Sequence, residues 1–278
     1  NFNYVLRSIT ALLVVTVTLN SCSDSNEDVL IDNAANDAVE LARSAEVDAA
    51  SSSVTDIVTE VFEFDEANPN GRVLPPALPD CVTITVVAQQ AFREVTIDFG
   101  TEGCLVRGHI LKGQIVFSYT RDIEAQEILI TYDLVDFYFD NKNVLGNRTI
   151  LRERENDNGN PQFTHNLDLT VIWPNGVQAS RNGTKIREWV EGFGSGIFSD
   201  NVFEVSGDWT TTFVNGNTHT YEVMTPLRRE VICTYFVSGT VDVQRTNFGG
   251  TFDYGDGDCD NQASFTFNNG TEIPITLN

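Results

Sequence analysis

From residue 81 onward, apolar and polar positions alternate with a period of two. Phe163, His165, Leu167, Leu169, Val171 and Trp173 share one face, and Thr164, Asn166, Asp168 and Thr170 share the other. The pattern returns in 109–119 (Leu111, Ile115, Phe117, Tyr119), in 203–213 (Phe203, Val205, Trp209, Phe213) and in 235–243 (Tyr235, Val237, Val241, Val243). Such alternation gives strands with one packed face and one wet face, the habit of antiparallel sheets. In 127–139 the apolar positions change parity near Tyr132 to Val135, which predicts a bulge or bend. Turn chemistry such as Asn156-Asp157-Asn158-Gly159, Pro174-Asn175-Gly176 and Asn215-Gly216-Asn217 separates the runs. Roughly a dozen strands are expected, with no helical period after residue 81.

Upstream the period changes. Val54, Ile57, Val58, Val61 and Phe62 fall at helical spacing. Residues 23–53 are acidic, rich in Ala and Ser and free of aromatics, and read as a tether with helical tendency over 36–50. Residues 65–80 contain Asn68-Pro69-Asn70-Gly71 and Pro75-Pro76, which is linker chemistry. The expected organisation is a signal segment (1–21), an acidic tether (22–53), a helical segment with a Pro-rich linker (54–80) and an all-β domain (81–278). Gly113, Gly207 and Gly239 lie mid-strand on apolar faces, and Gly146 and Gly183 sit similarly. Glycine weakens a strand unless the backbone must curve there or something must lie over it. The fold expected is therefore all-β, a large, strongly curved antiparallel meander, sandwich- or open-barrel-like, behind a short helical segment.

The N-terminal stretch adds an address. Arg7 precedes an apolar run, Ile9 to Leu19, too short to span a bilayer and suited to a signal segment. It ends in Leu19-Asn20-Ser21-Cys22, which resembles the bacterial lipobox; Asn20 departs from the usual small residue. The resemblance implies lipidation of Cys22 and attachment to a membrane. Ser23 in place of Asp and the acidic run that follows resemble the signals of lipoproteins sent to the outer membrane and on to the cell surface.

Setting Cys22 aside leaves Cys81, Cys104, Cys233 and Cys259. An even number in an exported chain points to two disulfides. Three pairings are open; order along the chain favours Cys81–Cys104 with Cys233–Cys259, because each closes one local loop. No CxxC is present to favour zinc.

A segment repeats. Thr96-Ile97-Asp98-Phe99-Gly100-Thr101-Glu102-Gly103-Cys104 matches Thr251-Phe252-Asp253-Tyr254-Gly255-Asp256-Gly257-Asp258-Cys259. The shared skeleton reads as a strand ending in a glycine turn, with Asp98 and Asp253 accepting from backbone amides of their turns. These paired elements, the lipobox, Arg107-Gly108, Gly146-Asn147-Arg148-Thr149 and Arg187-Glu188-Trp189 resemble an uncharacterised family of Bacteroidota cell-envelope lipoproteins. The resemblance implies an all-β extracytoplasmic domain and carries no activity.

The net charge of -23 repels nucleic acid and excludes it as a natural partner. Asp256, Asp258 and Asp260 alternate as in a calcium loop, but Asn261 and Phe267 stand where such a loop needs Gly and Glu; calcium is the only cofactor suggested. His109 and His165 lie on apolar strand faces, where a satisfied core histidine is the expected role. No HExxH, nucleophile elbow or phosphate loop is present, and Ser195 lacks the flanking glycine spacing. Of the three tryptophans, Trp189 is the candidate for an exposed glycan-stacking platform. The function expected is that of a surface-exposed, lipid-anchored, noncatalytic envelope protein with a binding, adhesion or structural role. A glycan-binding accessory for nutrient uptake is the alternative, with an envelope hydrolase behind both.

Overall fold

The computed structural model describes residues 25–68, 78–122, 124–246 and 248–277. The expected signal segment (1–21), Cys22 and most of the stretch read as a Pro-rich linker lie outside the described residues. Helix α1 (Ser25–Ala67) is followed by fifteen strands in one antiparallel sheet. They are β1 (Thr83–Gln89), β2 (Phe92–Asp98), β3 (Cys104–Val106), β4 (His109–Thr120), β5 (Glu127–Phe139), β6 (Lys142–Leu145), β7 (Asn147–Glu153) and β8 (Gln162–Ile172). There follow β9 (Gln178–Glu191), β10 (Val202–Phe213), β11 (Thr218–Glu230), β12 (Ser238–Arg245), β13 (Gly249–Asp256), β14 (Gln262–Phe267) and β15 (Glu272–Thr276). The order is a meander with β1 and β15 at the two edges, and β3 and β7 set beside the main path. The all-β expectation holds. Every strand belongs to one sheet, so the open, curled form replaces a two-sheet sandwich.

The expected curvature has a visible cause. Gly183 on β9 has a φ of +146°, and a Cβ there would stand 2.4 Å from the carbonyl oxygen of Asp208 on β10. Gly113 on β4 has a φ of +80°, with Asp136 O at 2.0 Å from the same imagined atom. Only glycine admits both the backbone angle and the close approach. At Gly113 the β4–β5 register slips, between Lys112↔Tyr138 and Gln114↔Val135. The buried positions of β5 change parity there, from Ile128, Ile130 and Tyr132 to Phe137 and Phe139. This is the predicted bulge, seated at Asp136.

The curl encloses a helix, and here the expected organisation needs correction. A single helix runs from Ser25 to Ala67, so the stretch read as a tether to residue 53 is helical. The compact unit that contains the sheet begins at Glu40. Within it Val47, Ala50, Val54, Ile57, Val58, Val61 and Phe62 are at most 2% exposed and join the main core with strand residues such as Ile97, Phe117, Ile130 and Phe163. Burial on that scale stabilises by about 2 kcal/mol per large apolar side chain. Residues 40–67 are thus the centre of the β domain. A second core cluster on β8 to β14 gathers Leu167, Val205, Trp209, Tyr221, Val241, Val243 and Phe265 without helix residues.

Both expected disulfides are present. Cys81–Cys104 and Cys233–Cys259 join with Cα separations of 5.8 and 5.5 Å. The echoed turns also behave alike. Gly100 N donates to Asp98 Oδ1 and Gly255 N donates to Asp253 Oδ1, each at 2.8 Å.

Candidate functional site

The opposite side of helix α1 is acidic, and it meets cations that point inward from the strands. Asp48 receives Arg181 and Lys185 from β9. Asp56 receives Arg187 at 2.5 Å, Glu63 receives Arg152 from β7 at 3.1 Å, and Glu60 pairs with Arg107 between β3 and β4. Tyr119 on β4 donates to Asp65 at 2.5 Å. Ser44 Oγ and Tyr221 OH on β11 lie 2.5 Å apart, and Glu40 Oε2 faces His219 Nε2 at 3.2 Å. One helix is therefore gripped from strands across most of the sheet, which is only possible because the sheet wraps it.

The charges do not respond alike. Burial pushes the Asp48 carboxyl up, but Arg181 and Lys185 together hold it below its ordinary value. Asp56 is likewise raised by burial and brought lower by Arg187, Arg229 and Arg107. At Glu60 burial outweighs Arg107, at Glu63 it outweighs Arg152 and Arg154, and both carboxyls sit higher than usual. Burial also lowers Lys185, more than Asp48 restores. A carboxyl is lowered where the pull of its facing cations exceeds the penalty of burial, and raised where it does not.

On the wet face of the sheet, β10, β11 and β12 form an open groove of about 420 Å³. Asp208 is paired directly with Glu222, and Glu222 with Asp242, so three carboxylates stand in a row across three strands. Thr210, Thr220 and Gln244 complete the polar lining. Gln244 Nε2 donates to both oxygens of Asp242, at 2.9 and 3.0 Å. Like charges placed opposite one another in a sheet are unfavourable, so the row is a surface that favours hydrogen-bond donors and positive charge. Alternation alone identifies these as outward positions. Their meeting depends on register across three strands, which no local pattern reveals.

The residues singled out from the sequence are dispersed. Trp189 is 8% exposed, packed against Phe163, Phe193 and Phe203, and offers no open stacking platform. Asp256, Asp258 and Asp260 are exposed, and Asp260 Oδ1 accepts from Gln262 N within its own turn. Among the described residues no three carboxylate, histidine or cysteine side chains gather as a metal site. His109 lies 3.2 Å from Asp140 and is half-exposed. His165 is buried, but the expectation of a satisfied core histidine fails, for neither ring nitrogen has a partner. Among the described residues no helix is long and apolar enough to cross a membrane.

The chain matches no protein-family model, no curated protein and no solved structure.

Proposed function

We propose that this protein is a lipid-anchored envelope protein, attached to the outer membrane through Cys22 and displayed at the cell surface. Its β domain serves a noncatalytic binding, adhesion or structural role. The paired turn motif and the lipobox-like stretch resemble those of uncharacterised Bacteroidota envelope lipoproteins, which supports this reading. The observation that carries this reading is the pair of disulfides, which staple strand ends downstream of a lipobox and belong to an oxidising compartment. The filled interior supports the noncatalytic part, because helix α1 occupies the place where a curled sheet would otherwise hold a ligand. Palmitate labelling of the full-length chain in a lipoprotein-processing host tests the anchor. Label is expected in the native protein and lost in Cys22→Ala; an unlabelled native protein ends the proposal.

The groove on β10–β12 supports a second reading, an accessory glycan-binding lipoprotein. Carboxylates, an amide and threonine hydroxyls at Asp208, Glu222, Asp242, Gln244, Thr210 and Thr220 suit the hydroxyls of a sugar. A glycan array should then show binding that Glu222→Gln weakens. An array without hits removes this reading and leaves the first standing.

A further inference from the structure

Inside the sheet, β7 and β8 carry donors with nothing to donate to. Arg148 is 3% exposed. One of its Nη atoms donates to Tyr132 OH at 3.2 Å, and its guanidinium lies over that ring. Its Nε and other Nη have no partner. His165 is 2% exposed, and both ring nitrogens are unmet. Register puts His165 beside Ile150 on β7 and Lys185 on β9. Arg148 and Arg152 flank Ile150 on the same inward face of β7. Arg152, 5% exposed, leaves one Nη unmet while its Nε holds Glu63.

The charges around this point do not balance. Arg181 and Lys185 share Asp48, Arg187 has Asp56, and Arg152 has Glu63. Arg148 has no carboxylate among the described residues. A buried guanidinium without counter-charge is among the costliest features a core can carry. His165 does not add to the surplus. Burial, and then Arg187, Lys185 and Arg148, hold its pKa far below the ordinary range, so the ring is neutral and offers one N–H.

We propose that Arg148 and His165 bind a small inorganic anion, chloride in ordinary buffers, enclosed in the core at β7 and β8. Water would accept from these donors, but would leave the positive charge of Arg148 uncompensated. An anion answers both needs. The near-complete burial of both side chains fits a small enclosed ion, not a substrate drawn from outside. The ion acts as a structural ligand and completes the grip of the sheet on its helix.

Bromide replaces chloride and scatters anomalously. Crystals of the native protein grown with sodium bromide should show an anomalous peak at about 3.3 Å from the Arg148 guanidinium and the His165 ring, the usual reach of a halide from N–H donors slightly longer than that of oxygen. Ordinary water density there, or no density, overturns the proposal. The second arm is thermal unfolding at fixed ionic strength, with sodium chloride exchanged for sodium gluconate. The midpoint of the native protein should rise with chloride, because an anion that binds only the folded state stabilises it. Arg148→Met should lose that rise. A chloride dependence that survives in a folded Arg148→Met places the ion elsewhere and also overturns the proposal. If that variant does not fold, the bromide map of the native protein decides alone.

Discussion

Arg187 on β9 donates to Asp56 on helix α1 at 2.5 Å, with side-chain exposures of only 9% and 16%. The bond crosses from the wall of the sheet to the element it encloses. It shows how an acidic helix comes to lie in the middle of a β protein: the sheet supplies cations on its inner face, and the helix supplies their counter-charges.

Removing one side of that pair strands the other in the core. Asp56→Ala is expected to destabilise by about 3–5 kcal/mol, while replacing Asp56 and Arg187 together by leucine recovers most of the loss. Urea denaturation of Asp56→Leu, Arg187→Leu and the leucine pair, read as a double-mutant cycle beside Asp56→Ala, checks this. Equal losses in Asp56→Ala and the leucine pair would show that the charge pairing is not what matters.

Acid should weaken the fold through its histidines. Burial and Arg245 lower His219 from 6.5 to about 4, against the opposing pull of Glu40. A lowered pKa means that the folded state resists protonation. The stability it contributes is complete above pH 6.5 and is lost as pH falls toward about 4. Asp48 and Asp56 share this sign, in a lower window that begins at ordinary carboxylate values and ends at their depressed ones. Glu60 and Glu63 are raised and have the opposite sign: their contribution is present at low pH and is lost as pH rises through their folded values. The histidine contribution is isolated by comparison. The urea midpoint of the native protein should fall more steeply between pH 6.5 and 4 than that of His219→Gln.

The two disulfides close loops with sequence separations of 23 and 26 residues. Chain-entropy reasoning gives each about 3.5 kcal/mol. Replacing either pair by serine should lower stability by that order, and peptide mapping without reductant should recover 81 with 104 and 233 with 259. A map showing free thiols contradicts the stapled turns.

Gly183→Ala should be severe. Its φ of +146° strains an L-residue, and the new Cβ would meet Asp208 O and Trp209 Cα at 2.4 and 2.5 Å. Strain of about 1–2 kcal/mol and overpacking of about 1–3 kcal/mol add at this position. Gly216→Ala is the control, with a φ of +86° and nothing within 4 Å of its Cβ, so it should show the strain alone. Thermal melts of the two variants separate the contributions.

Strand faces, the bulge at Asp136, the bending glycines and both disulfide pairs were legible in the sequence, because each depends on local alternation or on order along the chain. The place of helix α1 was not. Its apolar stripe is visible from Val54, but Glu40, Ser44 and Asp48 fall in the stretch read as a tether, and Asp56 and Glu60 among the polar positions of the helical segment. The partner signal lies on β9, where Arg181, Lys185 and Arg187 share parity with the buried Ala179 and Trp189. Charge is normally taken to mark the solvent face. Here parity was the better guide, and it places those cations indoors. The groove at Asp208, Glu222 and Asp242 stayed hidden for another reason, since side-by-side register is a property of three strands together.

The enclosed helix also sets an order of events in folding. Its residues emerge before the strands in any N-to-C synthesis or export, and their partners come much later: Glu40 meets His219 across 179 residues, and Asp48 meets Arg181 across 133. Contacts of such high sequence separation slow folding, because a long chain must close before they repay its entropy. The helix must therefore wait, unsatisfied on both its apolar and its acidic sides, until β9 to β11 arrive. A chain that leaves its last strands late is one whose core is assembled around a part made before any strand.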